Sequence, residues 1–191
     1  MRNICGSPPT AEGPLGVSAL SVTRQWSTRV SYSSPPGFRV ALAADHAGYP
    51  LKEAIREHLL NRGVRTVDLG TNSTESVDYP DFARRIVVAV LEGEAERGIL
   101  ICGTGVGMAM AANRQRGIRA ALCHDHFTAS AARRHNNANV LVLGGRILGR
   151  DLAMEIVDTW LDTPFEGGRH ESRLEKMDEY QVRVERRKGK G

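Results

Sequence analysis

One stretch constrains the fold of this chain more than any other: residues 98–107 read Gly-Ile-Leu-Ile-Cys-Gly-Thr-Gly-Val-Gly. The run before Cys102 is wholly apolar, which is typical of a strand buried on both faces of a parallel sheet. Three glycines follow it within five residues, and residues 108–112 have the composition of a buried helix. A strand, a glycine loop and a helix in this order direct several backbone N–H groups at one point, where anions bind. The stretch therefore predicts an α/β fold with a site at this loop.

Cys102 lies at the mouth of this loop. A helix N-terminus favours a thiolate over a thiol, so the position suits a reactive cysteine. Two other interpretations compete with that one. The glycines could serve only a tight turn and close packing, and a cysteine after an apolar run is often a small core residue. The glycines also fall at alternate positions and do not match the dinucleotide pattern G-x-G-x-x-G. The stretch alone leaves a reactive and a structural Cys102 open.

From Phe38 onwards, short apolar strands alternate with single amphipathic helices. The predicted strands are residues 40–44, 64–69, 99–101, 118–122 and 139–143. The predicted helices start near Leu51, Tyr79, Met108, Phe127, Leu152 and His170, and the last of them extends to about Arg187. Because single helices separate the strands, the crossovers are right-handed and the sheet is parallel. The prediction is a Rossmann-like three-layer α/β fold, with a five-stranded parallel sheet and helices on both faces.

Residues 1–36 differ in composition from the rest of the chain. They contain two Pro-Pro pairs, seven serines and three arginines, with Glu12 as the only acid and no hydrophobic periodicity. This composition predicts a disordered extension. It also resembles an organelle transit peptide. Because no amphipathic helix is evident, we favour an unstructured extension or a start codon assigned too far upstream.

Composition excludes several classes of protein. The 191 residues suffice for one domain, and a formal net charge of +4 without basic–aromatic blocks does not predict a nucleic-acid partner. No apolar run reaches the length of a membrane span. Three cysteines without C-x-x-C spacing favour a reducing compartment, so we expect a cytoplasmic protein, with organelle import by the extension as the alternative.

One triplet, His124-Asp125-His126, offers metal-ligand side chains. Two histidines and one aspartate make a small ligand set, and Asp125 is predicted to cap the helix that follows. We therefore expect no metal ion and no other cofactor. Cys123 beside the triplet is predicted to be a core residue.

In parallel sheets, ligands bind beyond the carboxyl ends of the strands. Asp45 and His46 follow the first predicted strand. Cys102 ends the third strand and Arg146 follows the fifth, so these side chains should line one rim. His135 lies at a helix C-terminus before the fifth strand, and would reach that rim only from a neighbouring subunit or by an unusual path. A helix C-terminus stabilises an imidazolium, which suits a proton donor. A solvated helix cap is the alternative for His135.

Five motifs in this order resemble those of the type B ribose-5-phosphate isomerases. They are Asp45-His46-Ala47-Gly48, Asp78-Tyr79-Pro80, residues 98–107, His135-Asn136 with Asn139-Val140-Leu141, and residues 167–173. The similarity runs from about Arg39 to the final predicted helix. It implies that residues 37–191 form a sugar-phosphate isomerase domain. Galactose-6-phosphate and allose-6-phosphate isomerases share the family, so the choice among these substrates stays open.

The resemblance implies an aldose–ketose isomerase of the pentose phosphate pathway, EC 5.3.1.6, that interconverts ribose 5-phosphate and ribulose 5-phosphate through an enediolate. Cys102 would be the base that moves a proton between C1 and C2, and Thr104 would assist it. His135 would be the acid that opens the furanose ring. Some relatives use a glutamate downstream of the loop as the base, but this chain has Met110-Ala111-Ala112 there.

The other residues that the resemblance implies bind the substrate: Asp45, His46, Tyr79, Gly103, Gly105, Val106, Gly107, Asn136, Arg146, Arg169 and Arg173. The amides of residues 103–107 would hold the enediolate oxygens, and Asp45 and Asn136 would bind hydroxyl groups. The phosphate would fall to one histidine and three arginines, namely His46, Arg146, Arg169 and Arg173. Arginine forks match phosphate oxygens better than lysine does.

The resemblance also implies a homodimer with shared active sites, in which the C-terminal helix is exchanged. In agreement with this, Leu174 and Met177 give that helix an apolar edge after the Gly167-Gly168 link. Whether such dimers pair into tetramers stays open. The alternative from another class is a non-catalytic sugar-phosphate or nucleotide sensor, which would need neither Cys102 nor His135.

Overall fold

The computed structural model describes residues 37–179. The extension over residues 1–36 and the end of the last predicted helix lie outside the described residues. The predictions for those two segments therefore stay predictions.

Five parallel strands form one sheet in the order β2-β1-β3-β5-β4. The strands are β1 (Arg39–Ala44), β2 (Arg65–Asp68), β3 (Arg97–Cys102), β4 (Ala120–Leu122) and β5 (Val140–Gly144). In the centre of the sheet, Gly98 of β3 pairs with Val140 of β5, and Cys102 pairs with Gly144. The predicted five-stranded parallel sheet is confirmed.

Six α-helices connect or follow the strands: α1 (Tyr49–Asn61), α2 (Tyr79–Leu91), α3 (Val106–Ala112), α4 (His126–Arg134), α5 (Arg150–Asp162) and α6 (Glu171–Glu179). A 3₁₀ turn at Gly168–His170 leads into α6. Prolines in the first turns of α1 and α2 start those helices at little cost, because their missing N–H groups would have no partner within the helix. Gly63, at φ +72°, follows the C-cap of α1 as predicted.

The core consists of two apolar layers, one on each face of the sheet. Alternate strand residues such as Leu42, Ile99 and Leu143 pack with α1, α4 and α5 on one face. The residues between them pack with α2 and α3 on the other face, and Cys102 belongs to that second layer. The three-layer arrangement is confirmed, and Cys102 points towards α3.

Some predicted boundaries differ from the observed ones. The fourth strand begins two residues later than predicted, at Ala120, because the N–H of Ile118 closes a turn on the carbonyl of Gln115. The fifth strand begins at Val140 instead of Asn139, whose side-chain oxygen accepts the N–H of Arg119 at 2.8 Å.

The last helix begins at Glu171, since the 3₁₀ turn precedes it. None of its residues is buried, and Met177 is 48% exposed. Asp178 pairs with Arg119 at 3.5 Å, so the end of α6 contacts its own chain. Exchange of this helix across a dimer stays a prediction.

Among residues 37–179, no helix has both the length and the apolar character needed to cross a membrane.

The sheet changes direction between β1 and β3. After β1 the chain adds β2 on one side, and then crosses over to add β3 on the other side. At such a switch point the loops after the two strands diverge and leave a crevice beyond their carboxyl ends. The Asp45 loop and the Cys102 loop flank this crevice.

Candidate active site

Cys102 ends β3 and is 5% exposed. The backbone N–H of Gly105 donates to its Sγ at 3.1 Å. An N–H donor directed at sulfur stabilises negative charge on it. Gly105 can turn back in this way because it adopts φ +81°, and a Cβ atom there would lie 2.3 Å from Leu122 Cδ1. The backbone conformation therefore favours glycine at this position, and the carbonyl of Leu143, 3.2 Å from such a Cβ atom, leaves little room for a side chain.

The loop after β5 lies directly against the Cys102 loop. The N–H of Gly145 donates to the carbonyl of Cys102 at 2.7 Å, and the N–H of Arg146 donates to the carbonyl of Gly103 at 3.0 Å. The side chain of Arg146 also approaches the glycine loop, because a Cβ atom on Gly103 would lie 3.6 Å from its Cδ. The exposed side chain of Arg146 therefore lies beside the Cys102 loop.

The loop after β1 brings Asp45 and His46 to the same rim. The N–H of Asp45 donates to the carbonyl of Ile101 at 3.1 Å. Its buried carboxylate accepts the N–H of Gly48 at 2.9 Å. Nδ1 of His46 accepts the N–H of Val77 at 3.3 Å. That hydrogen bond leaves Nε2 as the ring donor for a ligand.

Tyr79 and Thr104 border the loop on the side of α2 and α3. The Tyr79 ring packs against Gly107, where a Cβ atom would lie 2.8 Å from the ring. Oγ1 of the exposed Thr104 accepts the N–H of Val106 at 3.4 Å. The structure therefore gathers one set of predicted residues, which we call the Cys102 cluster: Asp45, His46, Tyr79, residues 102–107 and Arg146.

The other predicted residues lie at the opposite end of the sheet. His135 and Asn136 precede β5, whose first residue Val140 pairs with Gly98 at the start of β3. Cys102, which pairs with Gly144, lies at the far end of that pairing, about 13 Å further along the strand direction. Within one chain, His135 and Asn136 do not join the Cys102 cluster.

A second group forms around His135 instead. Its ring stacks on that of His170, with centroids 4.6 Å apart and planes 15° from parallel. Oε2 of Glu166 lies 3.7 Å from Nε2 of each ring. We call His135, Glu166, His170, Arg169 and Arg173 the His135 cluster. Sequence reasoning missed Glu166 and His170, although both lie within or beside the quoted Gly167-Gly168 motif.

Charges around this cluster favour an anion over a metal ion. Among residues 37–179, His135, Glu166 and His170 have ligand atoms within 4.8 Å of one another, as a metal site would require. Burial lowers the pKa of His170, and the neighbouring His135, Arg169 and Arg173 lower it further. A hydrogen bond from Arg134 lowers the pKa of Glu166. A dication would meet three arginines here, whereas a phosphate would be attracted.

Two other predictions concern the segment before α4. Cys123 is 1% exposed, and burial raises its pKa to about 11, so it is a thiol of the core at neutral pH, as predicted. Asp125 caps α4 as predicted, with its carboxylate accepting the N–H of Thr128 at 2.7 Å. His126 pairs with Glu155 at 2.9 Å.

Gly48 sets how closely the Asp45 loop approaches β3. A Cβ atom on Gly48 would lie 2.4 Å from the carbonyl oxygen of Ile101, and this backbone cannot move without displacing Cys102. We expect Gly48→Ala to lower the free energy of unfolding by about 2–3 kcal/mol. Gly149→Ala is the matched control, because Gly149 also precedes a 13-residue helix but has open space around it. Denaturant unfolding measures both, and equal losses would contradict the prediction.

Comparison with known proteins shows which family the chain resembles over most of its length. A family model described as Ribose/Galactose Isomerase matches residues 40–177. Ribose-5-phosphate isomerase B of Escherichia coli is 48% identical over 139 residues, which cover 73% of this chain and 93% of that protein. The D-erythrulose-4-phosphate isomerase of Pectobacterium atrosepticum is 44% identical over 143 residues, covering 74% of this chain and 94% of that protein.

A solved structure extends the similarity to the fold. The crystal structure of a ribose 5-phosphate isomerase from Thermotoga maritima matches with a TM-score of 0.74 and 56% sequence identity, covering 75% of this chain and 99% of that one. The family model, the sequence relatives and the parallel five-stranded sheet all confirm the resemblance seen in the five motifs. The chain belongs to the ribose/galactose isomerase family.

Proposed function

We propose that this protein interconverts ribose 5-phosphate and ribulose 5-phosphate, with Cys102 as the base. The observation that carries the proposal is the position of the Cys102 sulfur. It lies at the carboxyl end of a central strand, 3.1 Å from the N–H of Gly105, within a loop of backbone donors. A relative that is 48% identical is named for the same reaction.

The chemistry requires a group that both takes and returns a proton. The Cys102 thiolate takes the proton from C2 of the open-chain aldose, and the thiol returns it to C1, so the enzyme is unchanged after the turnover. Thr104, at the edge of the loop, assists this transfer. The enediolate between the two steps carries negative charge on oxygen. Backbone donors of residues 103–107 stabilise that charge, by roughly 3–4 kcal/mol for a well-placed donor.

The phosphate supplies binding energy away from the reacting carbons. His46 and Arg146 of the Cys102 cluster offer two of its ligands, while Arg169 and Arg173 belong to the His135 cluster at the other end of the sheet. A single chain therefore does not bring the proposed ligands together. We propose that two chains do so, with the His135 cluster of one chain completing the Cys102 cluster of its partner.

Exposed apolar residues within and next to the Cys102 cluster support this arrangement. Val106 follows β3, Ile147 follows β5 and Phe127 follows β4, and these three strands are adjacent in the sheet. The three side chains are 44%, 56% and 78% exposed. Apolar side chains grouped at one edge are typical of a surface that another protein covers. A second copy placed there would bring its own residues next to the loop.

A coupled assay with several sugar phosphates tests the proposed function. We expect the highest kcat/KM for ribose 5-phosphate, compared with allose 6-phosphate, galactose 6-phosphate and erythrose 4-phosphate. The last is included because one relative is named for D-erythrulose 4-phosphate. If another sugar phosphate gives the highest kcat/KM, the proposed reaction type stands and the proposed substrate is wrong. Binding without turnover of any of them would favour the sensor.

His135 is proposed to donate a proton to the ring oxygen of the furanose before the proton transfer at Cys102. We expect His135→Asn to lower kcat/KM for ribose 5-phosphate by about 10²-fold or more. Uptake of deuterium from D₂O at C1 of ribulose 5-phosphate should persist, because this ketose is open-chain and its exchange needs no ring opening.

His126→Asn is the matched control, since His126 also pairs with a glutamate but lies outside both clusters. Its turnover and its exchange should both remain at the level of the unaltered chain. Equal losses of turnover and exchange in His135→Asn would instead assign His135 to substrate binding or structure.

A further inference from the structure

Glu166 is fixed in place by two contacts to a single residue. Its carboxylate Oε1 accepts the Nε–H of Arg134 at 2.5 Å, and its backbone N–H donates to the carbonyl of Arg134 at 3.1 Å. The link after α5 is thereby attached to the last turn of α4. His135 is the next residue along the chain, so the same attachment sets the distance between Glu166 and the His135 ring.

The other oxygen of this carboxylate faces two imidazoles. Oε2 lies 3.7 Å from Nε2 of His135 and 3.7 Å from Nε2 of His170. The stacked rings cannot both carry a proton charge without repelling each other, and one carboxylate compensates only one of them. His170 is the more buried ring, at 6% exposed, and is also next to Arg169 and Arg173.

The charged groups around the two stacked imidazoles determine which of them, His135 or His170, carries the positive charge. The charged groups that face the pair are Arg134 from α4, Glu166 from the link, Arg169 from the 3₁₀ turn and Arg173 from α6. Burial and the cations hold the pKa of His170 below its usual value, so this ring is neutral at neutral pH. The carboxylate is then free to stabilise a proton on His135.

We propose that Glu166 is a positioning residue for the acid His135, an inference that rests on the proposed isomerase function. Its carboxylate, held by Arg134, keeps the His135 ring stacked on neutral His170 and stabilises the protonated ring. In the ring-opening step, the bond between C1 and the ring oxygen breaks as that oxygen takes a proton from His135. The hydroxyl on C1 releases its hydrogen to water, and solvent later reprotonates His135.

The test compares Glu166→Gln, Glu166→Asp and a matched control. Gln keeps the size of the side chain and removes the charge, whereas Asp keeps the charge. Glu155→Gln is the control, because Glu155 pairs with His126 at 2.9 Å on a part of the surface outside both clusters. The pH dependence of kcat and KM is measured with ribose 5-phosphate. Deuterium uptake at C1 of ribulose 5-phosphate is measured in parallel.

In Glu166→Gln we expect the fall in activity with rising pH to begin roughly 0.5–1 pH unit lower, because the protonated acid loses its carboxylate. On the falling side of the profile, at a fixed pH of 8, a displacement of this size corresponds to a fall in kcat of about 3- to 10-fold. KM and deuterium uptake should change less than twofold. Glu166→Asp should recover part of the lost kcat, and Glu155→Gln should match the unaltered chain.

A pH profile of Glu166→Gln that superimposes on that of the unaltered chain would overturn the proposal. Equal losses in kcat and deuterium uptake would also overturn it, since the residue would then support the whole site. If the unaltered chain has no isomerase activity, the proposed function itself is refuted, whatever the Glu166 variants show.

Discussion

Replacing Cys102 with alanine should reduce kcat by at least about 10³-fold while leaving the fold and sugar-phosphate binding in place. The proton carrier is removed, but the loop donors and the phosphate ligands remain. Cys123→Ala is the matched control, because Cys123 is a buried thiol outside the site. It should keep kcat and lose only a little stability. Turnover with ribose 5-phosphate, binding by calorimetry and melting temperature distinguish the two variants.

Alkylation tests the same assignment without a substitution. Iodoacetamide should inactivate the unaltered chain, and ribose 5-phosphate should protect it, because the substrate covers the Cys102 loop. Peptide mass mapping should place the protected label on Cys102 and not on Cys123, whose burial and raised pKa keep it unreactive. Near-normal turnover in Cys102→Ala would refute the role of this thiol.

Much of the fold could be predicted because strands and helices alternate along the chain. The strands that contain Cys102 and Val140 are buried on both faces, and such strands are recognisable in a sequence as near-continuous apolar runs. The fourth strand starts late because of a local backbone turn at Ile118, whereas the fifth starts late because a side chain bonds to backbone groups distant in sequence. Asn139 looks like a strand residue, but its amide bonds to Arg119 and Gly117 on another segment.

The site could be predicted only in part, for a geometric reason. Residues that follow strand ends, such as Asp45 and Arg146, necessarily share one rim in a parallel sheet. His135 follows a helix instead, and the structure places it at the opposite end. Glu166 could not be predicted, because a single glutamate in a loop belongs to no sequence motif. Its role depends on Arg134 and on two imidazoles, which come together only in the folded chain.

If the site is shared between two chains as proposed, mixed dimers give the second large effect. Cys102→Ala and Arg173→Ala should each be nearly inactive, the first for lack of the base and the second for lack of a phosphate ligand. We expect activity to return when the two are unfolded and refolded together. If Cys102 and Arg173 of one site come from different chains, a mixed dimer has one site with both lesions and one with neither.

Random pairing makes half of the dimers mixed, and one of the two sites in each mixed dimer is intact. Two-fold symmetry therefore requires that activity recover to roughly a quarter of that of the unaltered chain. The matched control refolds Cys102→Ala with the double variant carrying both substitutions, and it should recover nothing because no intact site can form. Native mass spectrometry counts the mixed dimers in each sample. If mixed dimers form and activity does not return, Cys102 and Arg173 serve the same site within one chain. The 13 Å or so that separates the ends of the central strand would then have to be bridged by a rearrangement of α6 within that chain.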